Sequence, residues 1–255
     1  MELLVERVAV ITGASRGIGA IVARAFAREG ARLVLAHEPS IERTREAVKL
    51  AAELNRGGEV AVLVSADLLA EGAAEVIVNA AIVAFGRLDI VVANAALQNR
   101  SQWDLISTDE WDMVQAVNLR SPWQLVKAAA PYLEASPAGS VIMVTSIMVE
   151  SGVPSQIHYT ASKAGLIGVA RGLARAMGPR DVRVNAVMLG AVRTEKEEEF
   201  VQDAAAVNSE VLAVQSLQRR ATADDVSGPF VFLASALSSF VTGQVVNVDG
   251  GWIHY

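Results

Sequence analysis

Between Ser146 and Lys163 the chain reads S-I-M-V-E-S-G-V-P-S-Q-I-H-Y-T-A-S-K and carries three groups able to move a single proton: Ser146, Tyr159 and Lys163. Tyr159 and Lys163 are four residues apart at the start of a segment, 159–177, with helical periodicity, so both side chains fall on one face. A free phenol titrates near 10 and is a poor base at neutral pH. A neighbouring ammonium favours phenolate and is expected to lower that value. Ser146 closes a strand-like run, Ser140 to Thr145, from which its hydroxyl can hydrogen-bond the oxygen that Tyr159 protonates or deprotonates. The chemistry is proton exchange with a hydroxyl or carbonyl oxygen. A tyrosine and a lysine at this spacing are also what an ordinary amphipathic helix offers, so the pair needs support from elsewhere.

That support comes from the N-terminus. Arg7 to Thr12 is a short run rich in β-branched residues, and 17–29 has helical periodicity through Ile18, Ile21, Val22, Ala25 and Phe26. The turn between them reads T-G-A-S-R-G-I-G. Glycines at 13, 17 and 19 permit a tight bend and let a pyrophosphate reach backbone N–H groups, with the helix N-terminus facing the anion. Glycine in a βα turn also serves φ > 0 where nothing binds.

The G-x-x-x-G-x-G spacing, taken with Ser146, Tyr159 and Lys163, resembles the short-chain dehydrogenase/reductase family over nearly the whole chain. The resemblance implies a Rossmann-type fold, one doubly wound parallel seven-stranded sheet of order 3-2-1-4-5-6-7, and hydride transfer between a nicotinamide cofactor and a secondary alcohol or carbonyl. It makes Asn118, which interrupts an apolar helical stretch, a fourth catalytic residue holding a water in a relay from Lys163. Lys163 would also hold the nicotinamide ribose, and Tyr159 would lie beside the cofactor.

Further cofactor contacts are expected at Gly13, Ser15, Arg16, Gly17, Ile18 and Gly19, and at Asp67, which would meet the adenine amino group, with Leu68 beside it. Asp67 also reads as a cap for a following helix. Asn94-Ala95-Ala96 resembles the family's N-A-G turn with Ala96 in place of glycine, and Gly190, Val192 and Thr194 match positions over the nicotinamide, although Leu189 stands where a proline is usual. His37 and Glu38 should end the second strand at the adenosine ribose. A carboxylate there accepts from ribose hydroxyls and repels a 2′-phosphate, which favours NAD; Arg16 and His37 pull toward NADP.

The substrate is expected among polar groups, Gln98, Asn99 and Arg100 after the fourth strand and Glu150, Gln156 and His158 beside Tyr159 and Ser146. These suit a sugar or polyol, and A-L-Q-N with the H-Y pair resembles the family's sugar 1-dehydrogenases. A 3-oxoacyl carrier-protein reductase is the alternative, opposed by an acid-rich segment at 195–199 in the region, about 190–215, expected to form a substrate lid. A non-catalytic dinucleotide sensor is a reading from another class, and the four site residues argue against it. The family also implies a homotetramer, its faces the Asn118 helix and the glycine-bearing side of the Tyr159 helix.

Composition sets the outer bounds. The 255 residues, 52% of them hydrophobic, suit one domain spanning 1–255, and the net charge of −6 with no basic run argues against nucleic acid. There is no cysteine, and His37, His158 and His254 lack ligand spacing, so no metal is assigned. With neither a signal-like start nor a long apolar span, no membrane association is expected and the location should be cytoplasmic.

The remaining elements follow from alternation: strands at 31–36, 59–65, 88–93, 183–187 and 244–248, and helices at 40–56, 107–134, 195–211 and 223–235. The 107–134 helix opens on S-T-D-E, a capping box from Ser107 to Glu110.

Overall fold

The computed structural model describes residues 2–194, 197 and 203–254. Seven strands lie in one sheet of order β3-β2-β1-β4-β5-β6-β7, and every neighbouring pair is parallel. They are β1 (Val8–Thr12), β2 (Arg32–His37), β3 (Ala61–Ser65), β4 (Ile90–Ala93), β5 (Ser140–Ser146), β6 (Arg183–Leu189) and β7 (Val245–Val248). The order reverses between β1 and β4. At such a point the loops leaving the strand ends diverge, and a crevice opens above the carboxyl edge.

The helices are α1 (Gly17–Arg28), α2 (Ile41–Leu54), α3 (Ala73–Phe85), α4 (Thr108–Gln115), α5 (Ser121–Ala135), a four-residue α6 (Met148–Ser151), α7 (Ile157–Met177), α8 (Ala204–Val214) and α9 (Ala223–Ala234). They cover both faces of the sheet. Ala9, Ile11, Ile142 and Val144 point toward a layer containing Phe26 of α1 and Phe230 of α9. The alternate residues Val8, Val10, Val141 and Met143 pack on Ile77 of α3, Leu125 of α5 and Leu166 of α7. Strands apolar on both faces are what a sheet buried between two helical layers requires.

Three elements differ from the sequence expectation. Helix α3 was expected only as a helix following Asp67, without bounds, because its stretch A-A-E-V-I-V-N-A-A-I-V-A-F is apolar almost all round and lacks a clear stripe. Asp67 does not cap it: the N-cap is Gly72, and Asp67 Oδ1 instead accepts from Leu69 N at 2.9 Å in a local turn. The expected single helix over 107–134 is broken by a π turn at Ala116–Arg120, centred on Asn118. The Ser107–Glu110 capping box is half made. Ser107 Oγ accepts from Glu110 N at 3.1 Å, but the Glu110 carboxylate turns away, to Ser101 and His158. Part of the expected 195–211 helix, residues 195–196 and 198–202, falls outside the described residues; α8 occupies 204–214.

Candidate active site

Ser146 is the last residue of β5, and α7 carries Tyr159 and Lys163 on the face turned to the strand end. Two hydrogen bonds fix the helix against the strand. Thr145 Oγ1 donates to the Lys163 carbonyl at 2.9 Å, and Lys163 Nζ donates to the Val144 carbonyl at 2.7 Å. The Tyr159 and Ser146 hydroxyls hydrogen-bond each other, and Lys163 Nζ sits 5.7 Å from the Tyr159 ring centroid. All three side chains are buried.

Asn118 braces this group from the other side. Its Oδ1 accepts from Leu97 N at 2.8 Å, while Nδ2 donates to the Leu97 carbonyl at 2.9 Å and to Ser162 Oγ at 3.0 Å. Ser162 Oγ in turn donates to the Tyr159 carbonyl at 2.7 Å. A π turn inserts an extra residue into the helix and redirects its side chains, which is how an amide in an apolar stretch acquires these partners. Gly165 of α7 lets the same turn approach closely, since an added Cβ would lie 2.9 Å from a methyl of Leu119.

Burial dominates the electrostatics. It pushes Tyr159 up to about 12, against a smaller lowering from the Ser146 hydrogen bond, and pushes Lys163 down to about 7. This corrects the expectation that the lysine lowers the tyrosine. An ammonium taken out of water gives up its proton near neutrality, so it has little charge to lend the phenol. In this state Tyr159 is a proton donor.

The glycine turn has the shape its spacing implied. Gly13 and Gly17 have φ of +64° and +55°. A Cβ on Gly13 would come within 2.9 Å of Ala95 Cα, and one on Gly19 within 2.2 Å of the Gly13 carbonyl oxygen, so both keep the turn tight against the end of β4. Gly17 is different: an added Cβ would meet no protein atom and would project into the open space before α1. Arg16, at the N-cap of α1 with extended backbone, makes no capping hydrogen bond, which leaves the first-turn N–H groups of Gly17, Ile18 and Gly19 directed outward. An uncapped helix start with a bare Cα in front of it fits a phosphate.

Asn94 holds the neighbouring turn, its Nδ2 donating to the Thr12 carbonyl at 2.8 Å while Thr12 Oγ1 accepts from Asn94 N and Ala95 N at 3.0 and 3.1 Å. Ala96 needs no left-handed backbone, since the non-glycine residues of positive φ among the described residues are Glu6 and Asp181. An alanine is therefore accommodated there. Gly190 is required on the opposite side, where a Cβ would lie 2.8 Å from Asp249 Cα. Val192 bridges to Ala221, and Thr194 Oγ1 accepts from Glu197 N at 3.4 Å.

A family model described as "Enoyl-(Acyl carrier protein) reductase" matches residues 13–253. An L-rhamnose 1-dehydrogenase (NAD(P)(+)) from Azotobacter vinelandii is 37% identical over 250 residues, covering 98% of this chain and 97% of its own. A 3-oxoacyl-[acyl-carrier-protein] reductase from Thermotoga maritima is 34% identical, covering 97% and 98%. Among solved structures, an assigned NAD(P)-dependent gluconate 5-dehydrogenase from Beutenbergia cavernae, with NADP bound at low occupancy, superposes with a TM-score of 0.87 at 34% identity over 98% of each chain. The chain belongs to the short-chain dehydrogenase/reductase family. It is an NAD(P)-dependent oxidoreductase acting on CH–OH groups.

Family membership sharpens what the local contacts mean. Both N–H groups of the Asn118 amide are committed to Leu97 and Ser162, so any hold on a relay water falls to its carbonyl oxygens, side-chain or main-chain. At the adenosine end, His37 is buried with Nδ1 2.9 Å from the Glu38 carbonyl, whereas Glu38 itself is exposed. Ser15 is buried in the glycine turn, Arg16 and Leu68 are half-buried, and Asp67 is exposed.

After β4, Ser101 N donates to the Ser155 carbonyl at 2.9 Å, which draws the 97–101 segment against the start of the Tyr159 helix. Gln98, Arg100 and Glu150 are exposed and Asn99 is half-buried. Gln156 and His158 are fully buried, and neither amide atom of Gln156 has a hydrogen-bond partner among the described residues. Two residues escaped sequence reading. Glu110 passed as a helix cap, and Arg220 carried no signal at all; its guanidinium bonds Glu197 Oε1 at 2.6 Å and Asn208 Oδ1 at 2.7 Å.

Proposed function

We propose that this protein oxidises a sugar or polyol with NAD in preference to NADP, through Ser146, Tyr159 and Lys163 with Asn118 as their brace. The observation that carries the substrate class is the wall beside Tyr159. The Ser101–Ser155 backbone bond ties the segment carrying exposed Gln98 and Arg100 and half-buried Asn99 to the start of the Tyr159 helix, and together with exposed Glu150 these are hydrogen-bonding groups rather than hydrocarbon. Gln156 and His158, expected from the sequence to meet substrate, are corrected to buried residues of the Tyr159 helix start: both are fully buried and closed off from the cleft, so the groups that can meet substrate hydroxyls directly are Gln98, Asn99, Arg100 and Glu150. Sites of this kind discriminate strongly against analogues lacking the matching hydroxyl. The similarity to an L-rhamnose 1-dehydrogenase supports the same class.

In this reading Ser146 donates to the substrate oxygen and orients it, and Tyr159 exchanges the proton with that oxygen. Lys163, anchored on the Val144 carbonyl, stands behind the phenol and reaches the nicotinamide ribose. The glycine turn and the α1 N-terminus hold the pyrophosphate, with Ser15, Asn94, Ala95, Ala96, Gly190, Val192 and Thr194 framing the rest and Asp67 and Leu68 at the adenine. The nicotinamide, when bound, accepts or returns a hydride at C4. Exposed Glu38 at the end of β2 supports the preference for NAD by repelling a 2′-phosphate.

The whole of 1–255 acts as one cofactor-binding and catalytic unit in the cytoplasm, and as a homotetramer. Exposed Trp111, Met113, Trp123 and Tyr132 on α4 and α5, and Gly168 and Gly172 facing open space on α7, support such an assembly. No helix among the described residues is long and apolar enough to cross a membrane.

A 3-oxoacyl thioester is the second reading, supported by the Thermotoga relative. The acid-rich segment counts against it less than its composition implies, because Glu197 is neutralised by Arg220. The test is kcat/KM at 340 nm on aldoses and polyols, including L-rhamnose, against an acetoacetyl thioester, with Tyr159→Phe as control. Preference for a sugar, lost with the phenol oxygen, is expected. Preference for the thioester overturns the substrate class, and a Tyr159→Phe enzyme keeping more than a tenth of kcat overturns the proton-transfer assignment.

A further inference from the structure

Glu110 lies on α4, outside the catalytic group, yet it sits where three separate segments meet. Its Oε1 accepts from Ser101 Oγ at 2.7 Å and stands 3.3 Å from His158 Nε2. Ser101 belongs to the 97–101 segment, His158 directly precedes Tyr159, and the next turn of α4 adds a third tie, Gln115 Nε2 donating to the His158 carbonyl at 2.8 Å. His158 is fully buried, and the Glu110 carboxylate is the charged group beside its imidazole. The Ser101 hydroxyl holds the Glu110 carboxyl below the ordinary carboxylate range, so it is ionised and accepting throughout the working pH range.

A helix cap would have used that carboxylate differently. In a completed capping box the side chain at this position returns to the backbone N–H of the cap residue, as Asp225 does to Thr222 at the start of α9. Glu110 forgoes that bond and spans to two other elements. Without it, the bond that ties Ser101 to the Tyr159 helix start among the described residues is the backbone bond to Ser155, and the imidazole of His158 loses the carboxylate beside it.

We infer that Glu110 is a positioning residue, a clasp that joins Ser101 to His158 and so sets the distance between the 97–101 wall and Tyr159, thereby fixing the width of the substrate cleft. It acts through other residues and touches no reacting atom. The inference rests on the reading of 97–101 as substrate wall, but it is indifferent to whether the substrate is a sugar or a thioester.

The experiment therefore uses whichever of L-rhamnose and acetoacetyl thioester the wild type turns over faster, so that failure of the sugar reading changes the probe and leaves this comparison intact. Glu110→Ala, His158→Gln, the double variant, Ser101→Ala and Ser101→Thr are compared for kcat, KM and NADH affinity. The clasp predicts that Glu110→Ala loses about ten-fold in kcat/KM, borne mostly by KM, with NADH affinity unchanged within two-fold. The double variant should be no worse than the poorer single variant, because the two side chains act as one unit. Ser101→Ala should share the defect, and Ser101→Thr, which keeps the hydroxyl, should recover it. Unchanged kcat/KM, losses that multiply in the double variant, or NADH affinity falling in step with KM would each overturn the inference. Should a His158 variant fail to fold, the Ser101 pair decides alone, since equal behaviour of its Ala and Thr forms overturns it.

Discussion

Replacing Lys163 by methionine isolates the electrostatic state of the site in the cofactor-free protein. Burial takes the lysine from its ordinary value of 10.5 down to about 7. Below about pH 7 the folded and unfolded chains both carry the ammonium, and the folded state bears the full cost of holding it out of water. From about pH 7 to 10.5 the unfolded chain keeps a proton that the folded chain has lost, so wild-type stability rises with pH by about 1.4 kcal/mol per unit. Between pH 6 and 9 that amounts to about 3 kcal/mol. Tyr159, raised from 10.0 to about 12, has the opposite sign, but its effect is confined to the interval between those values and does not enter this window.

Lys163→Met removes the titration. It also leaves the Val144 carbonyl without its lysine donor, an offset that is the same at every pH and cancels when two pH values are compared. The stability of wild type relative to the variant should therefore increase by about 3 kcal/mol from pH 6 to pH 9, or roughly 6–12 °C in Tm for a chain of this size. Urea unfolding of both cofactor-free proteins at equal concentration measures it. A difference constant within about 1 kcal/mol would refute the reasoning, because it would mean the lysine is charged across the whole range.

Three further outcomes are expected. Gly19→Ala forces a Cβ to 2.2 Å from the Gly13 carbonyl and should weaken NADH binding more than ten-fold. Gly17→Ala meets no atom but keeps a φ of +55°, costing about 1–2 kcal/mol in a urea titration, and equal NADH affinity of Gly19→Ala and wild type would contradict this account of the turn. Glu38→Arg should shift the ratio of kcat/KM for NAD and NADP toward NADP, because a forked cation replaces a repelling carboxylate; a wild type that already prefers NADP would transfer the credit to Arg16 and His37. Light scattering at micromolar concentration should give the mass of four chains, and a monomer would contradict the assignment of the exposed α4, α5 and α7 faces to subunit contacts.

The sheet was legible because buried parallel strands announce themselves. V-A-V-I-T, R-L-V-L-A-H and I-V-V-A are short β-branched runs ending at turn residues, and their alternation with helical segments leaves few topologies. The extent of helix α3 stayed hidden for the converse reason. Its apolar residues run round most of its circumference, so no period separates an inner from an outer face. The π turn at 116–120 was equally invisible, since it preserves helical composition and alters only the phase; Asn118 was its one trace, a poor helix former in an apolar run whose side chain had to find partners.

The site was readable as far as its chemistry depends on residue type, and opaque where it depends on what a side chain turns toward. Ser146, Tyr159 and Lys163 could be paired from spacing, but the direction of the pKa shifts could not, because spacing places the ammonium beside the phenol while only packing reveals that both are dry. Glu110 shows the same division. S-T-D-E fits a capping box as well as A-T-A-D at 221–224 with Asp225 does, and both open a helix, yet only the second closes on its own cap. What separates them is the surroundings. Asp225 accepts from Thr222 N at 2.8 Å and from the Arg219 guanidinium at 2.6 Å, all partners close in sequence, whereas Glu110 looks onto a buried imidazole and a serine hydroxyl from two other segments. The hydroxyl of Ser101 donates to the Glu110 carboxylate at 2.7 Å, and that charge-assisted bond takes the carboxylate away from its own cap. The competition between local and tertiary partners is thus settled by which groups the fold brings to the carboxylate, and at Glu110 it goes to the contacts that tie the 97–101 segment to the start of the Tyr159 helix.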